Sequence, residues 1–154
     1  EDIIVHVHPE SIVHSMVQFK DSSVIAQLGC PDMRVPIQYA LSYPSRLDSD
    51  FERLDLFKVA SLNFQRPDLE VFPCLALAYR ALIECGSTAT VLNAANEVLV
   101  EFFLNDRIGF YDIPKYIEMA MDDHAFIDQP SLEDIINMDT WTRSYINKLL
   151  TSSS

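Results

Sequence analysis

Near its start the chain gathers an unusual set of reactive side chains. The run His8-Pro9-Glu10-Ser11-Ile12-Val13-His14-Ser15-Met16-Val17 places imidazole, carboxylate, hydroxyl and thioether groups among β-branched apolar residues. Polar, titratable groups on a stiff support are what a reactive site requires. Imidazole, carboxylate and hydroxyl groups of this kind can hydrogen-bond a ligand or carry a proton. The competing reading is a half-buried strand whose histidines are satisfied by their neighbours. His6 and His8 form a His-x-His pair, which on a strand would share one face and could ligate a metal. Such a site needs a third ligand, for which Asp32 or Glu10 are the nearest choices.

What is missing narrows the chemistry. Only three glycines occur, Gly29, Gly86 and Gly109, so no Gly-rich loop can cradle a pyrophosphate. There is no Gly-x-Ser-x-Gly elbow and no persuasive Ser/His/Asp order. Cys30, Cys74 and Cys85 are odd in number and contain no Cys-x-x-Cys pair. That pattern fits a reducing compartment and core thiols better than a disulfide framework or a zinc site. The residues describe one wall of an active site, not a complete one.

The elements that must position that wall follow from pattern. Ile3 to Val7 is an apolar β-branched run, and Ser11–Phe19 and Ser23–Leu28 read as two strands joined by Lys20-Asp21-Ser22 in a hairpin. Alternation puts Ile12, His14, Met16 and Gln18 on one face. Gly29–Pro31 is a loop, Val35–Tyr43 a helix with Pro36 in its first turn and Pro44 at its end. Ser45–Leu56 is an irregular connection, and Leu56–Phe64 reads as one more short strand. From Pro73 the spacing turns helical. Leu75, Ala78, Tyr79 and Leu82 mark the first helix, closed by Gly86. Val91, Leu92, Ala95, Val98, Leu99, Phe102 and Phe103 mark the second, with Ser87 or Thr88 as its cap. Ile113–Met121 is the third, capped by Asp112. The fourth opens at Ser131 and runs through Ile135, Ile136, Trp141, Tyr145 and Leu149. Four helices with short joints predict a small bundle. The fold class is therefore α+β, with a boundary near Phe72: residues 1–72, residues 73–150, and a disordered tail over 151–154.

Composition is that of an ordinary globular chain: 154 residues, 49% apolar and 22% charged, with a net charge of −12. Such a balance repels phosphate backbones and argues against nucleic acid as a partner. Acids crowd the segment from Asp112 to Asp139, where Lys115 is the only lysine or arginine, as a solvated helix face would have it. No run approaches the length of a membrane span, and the start, Glu1-Asp2, shows no basic leader. Lacking an initiator Met, the chain is expected to continue upstream.

Three segments carry a more specific signal: the His8–Val17 run, then Gly29-Cys30-Pro31-Asp32-Met33-Arg34-Val35-Pro36-Ile37, then Leu92-Asn93-Ala94-Ala95-Asn96-Glu97-Val98. In this order and at these separations they resemble the C-terminal part of the 1-deoxy-D-xylulose 5-phosphate reductoisomerase family, over nearly the whole chain up to about Leu150. The resemblance implies NADPH-dependent rearrangement and reduction of that sugar phosphate to 2-C-methyl-D-erythritol 4-phosphate, in non-mevalonate isoprenoid synthesis. It implies Mg²⁺ or Mn²⁺ held by carboxylates upstream of this sequence, so no metal ligand is assigned here. It also implies a homodimer in the bacterial cytoplasm or plastid stroma. In its terms residues 1–72 are the end of a catalytic α/β domain and 73–150 a helical C-terminal domain. His14, in His-Ser-Met, falls on the family's substrate-site histidine, with Ser11 nearby. Met33, preceded by Pro31 and Asp32, falls on the loop at the nicotinamide. A polarizable thioether suits the face of a flat ring; the alternative is a gap-filling core methionine. Asn93, Asn96 and Glu97 match a helix expected to hold a buried polar network. Ser22 stands where the family often has Gly. The chain alone is expected to be inactive. The alternatives are an acidic interaction module that has kept the fold without catalysis, and a small His-x-His metal hydrolase.

Overall fold

The computed structural model describes residues 3–152, the side chain of Ser152 excepted. The fold is α+β: a two-stranded antiparallel hairpin, then helices. The chain forms two compact units that divide between Pro67 and Asp68. The division falls just ahead of Phe72 because Asp68 starts a turn that belongs to the helices. Its carboxylate accepts from the Glu70 and Val71 amides at 2.9 and 3.0 Å, and its carbonyl accepts from Phe72 N–H.

In the first unit β1 (Val13–Gln18) pairs with β2 (Val24–Leu28). Lys20-Asp21-Ser22 turns the chain: the Asp21 carboxylate accepts from the Ser23 amide at 3.0 Å and its hydroxyl at 2.6 Å, an Asx turn. Ser22 adopts φ 70, the left-handed position that this loop length requires and that glycine holds without Cβ strain. Helix α1 (Arg34–Ser42) and a single turn, α2 (Leu56–Val59), follow. The two further strands anticipated over Ile3–Val7 and Leu56–Phe64 do not form. Val7 makes one reciprocal pair, with Gln65 just beyond the second segment, where a strand needs a continuous ladder, and Leu56–Val59 instead takes the helical turn capped by Asp55.

The second unit is built from α3 (Pro73–Glu84), α4 (Thr88–Leu104), α5 (Asp112–Asp123) and α6 (Leu132–Ser152). Val91, Ala95, Val98 and Leu99 of α4 meet Ile113, Ile117, Ala120 and Met121 of α5 and Met138, Ile146 and Leu150 of α6 in one core. Thr142 is fully buried within the α6 stripe because its hydroxyl donates to the Met138 carbonyl at 2.8 Å. Two faces differ from the expected ones. On α3 the buried residues are Leu77 and Ala81, while Leu82 is 53% exposed. On α6 the buried stripe is Met138-Thr142-Ile146-Leu150, while Ile136 faces outward. Both helices carry apolar residues on more than one stripe, so spacing alone did not select the inner one. Ser131 and Asp134 cap each other at the start of α6, the Asp134 amide donating to the Ser131 hydroxyl and the Ser131 amide to Asp134 Oδ2. At the start of α4 Ser87 makes no side-chain cap; its hydroxyl accepts from Ile127 N–H at 2.9 Å and its amide donates to the Ile127 carbonyl. A Cβ on Gly86 would lie 2.3 Å from that carbonyl. Thr151 and Ser152 extend α6 instead of opening a tail, and Ser153 and Ser154 lie outside the described residues.

Candidate functional site

Strand alternation breaks at His14. From Ser15 on, each residue of β1 has its own partner on β2, but the register shifts between Val13 and Ser15, which leaves His14 at the irregularity. Bulges of this kind re-aim a side chain. His14 sits exposed at this irregularity, whereas Ile12, just ahead of the strand, is buried. Its Nδ1 lies 3.2 Å from Gln27 Oε1 and its Nε2 3.1 Å from the Ser11 carbonyl. Ser11 reaches the histidine through its backbone, where a hydroxyl contact was anticipated. Its φ of 51 is uncommon for a residue with a side chain, and such conformations concentrate at functional sites.

His6 and His8 do not sit on a strand. Both rings meet Phe64, His8 stacked at 4.7 Å and His6 edge-on at 6.2 Å. The His8 side chain is 7% exposed, and its Nδ1 lies 2.7 Å from the Asn63 carbonyl and 3.0 Å from Glu10 Oε2. Asn63 in turn donates its amide and side-chain nitrogen to Glu10, and the side-chain bond holds that carboxyl below its ordinary range. Among the described residues no group of three or more His, Cys, Asp or Glu side chains is arranged to hold a metal ion. His8 links its segment to Asn63 and Glu10, and His6 meets Phe64 edge-on. The histidines and β1 line an open groove of about 760 Å³, with Met16, Phe19 and Phe64 among its apolar walls.

The second polar wall is the loop before α1. Asp32 accepts from the Arg34 backbone amide at 2.9 Å and from its guanidinium at 2.6 to 3.0 Å. Arg34 therefore holds the Asp32 carboxyl below its usual range, and Asp32 fixes the start of the helix. Pro31 and Met33 are left outward; Met33 is 72% exposed and fills no core gap in this chain.

The Asn-Ala-Ala-Asn-Glu segment is in α4. Its polar network lies at the surface instead of in the core: Asn93 donates to Glu97 at 3.0 Å, and Glu97 receives Arg143 of α6 at 2.5 Å. Arg143 also grips Asp139 at 2.8 Å. Sequence spacing did not reveal Arg143, because its partner on α4 is distant along the chain. Arg143 and then Asn93 hold the Glu97 carboxyl low, while Asp139 and Glu97 raise the Arg143 guanidinium. On α6 Trp141 stacks on Tyr145, whose hydroxyl donates to Asp123 of α5; burial and that bond push the phenol up to about 12. The cysteines are free; Cys30 and Cys74 are half-buried, but Cys85, expected in the core, is exposed at the end of α3. No helix among the described residues is long and apolar enough to cross a membrane.

Fold and site together define an α+β segment: a well-packed helical unit, and a hairpin-and-loop unit that offers an oriented imidazole and an exposed thioether without closing around them. Residues 28–145 match the family described as the DXP reductoisomerase C-terminal domain. The chain is 52% identical over 150 residues to the 1-deoxy-D-xylulose 5-phosphate reductoisomerase of Acetivibrio thermocellus, covering 97% of this chain and 39% of that protein. It is 55% identical to the enzyme of a Geobacillus species, covering 97% and 40%. A solved reductoisomerase from Zymomonas mobilis in complex with NADPH superposes with TM-score 0.86 at 42% identity, over 94% of this chain and 38% of that one. Another, described as DOX-P reductoisomerase in complex with NADPH, fosmidomycin and magnesium, gives TM-score 0.87 at 39% identity over 95% and 38%. The chain belongs to the 1-deoxy-D-xylulose 5-phosphate reductoisomerase family. It spans about two-fifths of the length of the relatives it matches.

Proposed function

We propose that this chain supplies the C-terminal part of a 1-deoxy-D-xylulose 5-phosphate reductoisomerase. In that assembly it takes part in NADPH-dependent conversion of the substrate to 2-C-methyl-D-erythritol 4-phosphate. The observation that carries this reading is the match in sequence and fold to an NADPH-bound relative over nearly all of the chain, at 42% identity. NADPH supplies the hydride when bound. Met33 and Pro31 offer exposed, weakly polar surface suited to the face of a nicotinamide ring, with Asp32 holding their loop through Arg34. His14 lies on the substrate side, beside the Ser11 carbonyl, where its Nε2 can accept from a substrate hydroxyl. We assign the magnesium named with one relative to carboxylates in the rest of the enzyme, as the family resemblance implies.

The unpaired outer edges of β1 and β2 support association with further strands, from the remainder of the enzyme and in a homodimer. Free thiols suit a reducing compartment such as a bacterial cytoplasm or plastid stroma. The test is NADPH oxidation with 1-deoxy-D-xylulose 5-phosphate and Mn²⁺, run on this chain and on the full-length protein that contains it. A silent chain and an active full-length protein support the proposal. Activity in the chain alone overturns the division of chemistry, and a silent full-length protein overturns the function.

A further inference from the structure

The His14 ring is held at both nitrogens by oxygen: Gln27 Oε1 on the Nδ1 side and the Ser11 carbonyl on the Nε2 side. The Gln27 amide is oriented by its other end, since Nε2 donates to the Leu28 carbonyl at 3.3 Å and leaves Oε1 turned to the imidazole. The bulge makes the pairing geometrically available. With His14 at the register shift and Ser15 opposite Gln27, the imidazole and the amide are diagonal neighbours across the hairpin. Gly29 runs alongside: its amide donates to the Ile12 carbonyl at 3.0 Å, and a Cβ there would stand 3.6 Å from Gln27 Nε2 and 3.9 Å from His14 Cε1. Both groups facing the ring are oxygens, and a neutral imidazole has one N–H to give: donated from Nδ1 to Gln27, it leaves Nε2 beside the Ser11 carbonyl as the accepting nitrogen.

Resting on the reading that places His14 at the substrate, we propose that Gln27 is a positioning residue for the reaction. It acts through His14 by accepting from Nδ1–H and fixing the rotation of the imidazole. The side chain is exposed and lies outside the packed core, so its removal acts on the ring's orientation and leaves the bulk of the fold alone.

The experiment is a double-mutant cycle in the full-length protein, read as kcat and KM for NADPH-dependent turnover of 1-deoxy-D-xylulose 5-phosphate. Gln27→Leu lowers kcat/KM about tenfold, the scale of one oriented hydrogen bond. Gln27→Glu keeps an oxygen acceptor at the same place and restores activity to within about threefold of wild type. In a His14→Ala background Gln27→Leu costs nothing further. Unchanged kinetics in Gln27→Leu, equal losses in the Leu and Glu variants, or additive losses with His14→Ala each overturn the positioning role. If His14→Ala itself leaves kcat/KM unchanged, the substrate-side reading of His14 has failed, whatever Gln27 does. Should Gln27→Leu prove unstable, the His14 imidazole ¹⁵N and ring-proton signals of the folded Gln27→Glu and wild-type proteins decide: signals shifted by the carboxylate beside Nδ1 support the pairing, and unchanged signals remove it.

Discussion

The two units of this chain are built on opposite terms. The helical unit contains every buried apolar residue of the described chain except Ile12. The hairpin unit leaves Met16, Val17, Phe19, Val24 and Ile25 40 to 64% exposed. A two-stranded sheet with both faces open is marginal by itself. Yet that open unit holds the bulged histidine, the left-handed serine and the outward methionine, whereas the polar groups of the helical unit tie helices to each other. Stability is concentrated in one unit and the chemical groups in the other.

The comparison breaks first at the core. Leu99→Ala removes a fully buried side chain between helices and should cost about 3 to 4 kcal/mol, lowering the thermal midpoint by roughly 10 °C in calorimetry of the chain. A loss below about 1 kcal/mol would mean the helical unit is not the stable one. His14→Ala should show the converse in the full-length protein, a drop of about 100-fold in kcat/KM, or about 2.7 kcal/mol, with the thermal midpoint barely moved. Equal damage to stability and turnover would erase the contrast.

Gly86→Ala sharpens the comparison at a single backbone position. With φ +53 and the Ile127 carbonyl 2.3 Å from the added carbon, it should destabilise the chain by about 2 kcal/mol on a denaturant titration, and no loss would mean the junction of α3 and α4 gives way freely. A smaller effect comes from acid. Arg143 and Asn93 hold the folded Glu97 carboxyl below its ordinary value of 4.5, so its contribution is present above that value and is lost as pH falls through the lower folded one. Glu97→Gln should flatten that part of the midpoint-versus-pH curve; an unchanged slope below pH ~4.5 would show that the tie between α4 and α6 carries no stability. The smallest change is expected in the hairpin, where Ser22→Gly relieves φ 70 and should stabilise by no more than about 1 kcal/mol by the same titration.

Much of this was legible in the residues. Alternation located β1 and β2, and helical spacing located α3 to α6, because each is a local pattern with its own punctuation: Asp21-Ser22, Pro73, Gly86, Ser131. The inner faces of α3 and α6 were not legible, since Leu82 and Ile136 are as apolar as the Leu77 and Ile146 that are buried. The strands anticipated over Ile3–Val7 and Leu56–Phe64 were apolar enough, but a ladder depends on a partner the local sequence does not specify. At the candidate site, residue types drew attention to His14, whereas Met33 stood out only through the family resemblance. The bulge, the Ser11 carbonyl, Gln27 and Arg143 were hidden because each arises from a backbone geometry or a pairing across the chain. Cys85 was misplaced for a similar reason: it takes the exposed, positive-φ end of α3.

Amide hydrogen exchange compared between this chain alone and the full-length protein that contains it tests the contrast most directly. Exchange should be slow in α4 and α5 in both, and fast in Val13–Gln18 and Val24–Leu28 in the chain alone but slow there in the full-length protein, where further chain covers the hairpin. A hairpin equally protected in both would contradict it, because the unit that carries His14 would then be stable without the wall it is said to complete.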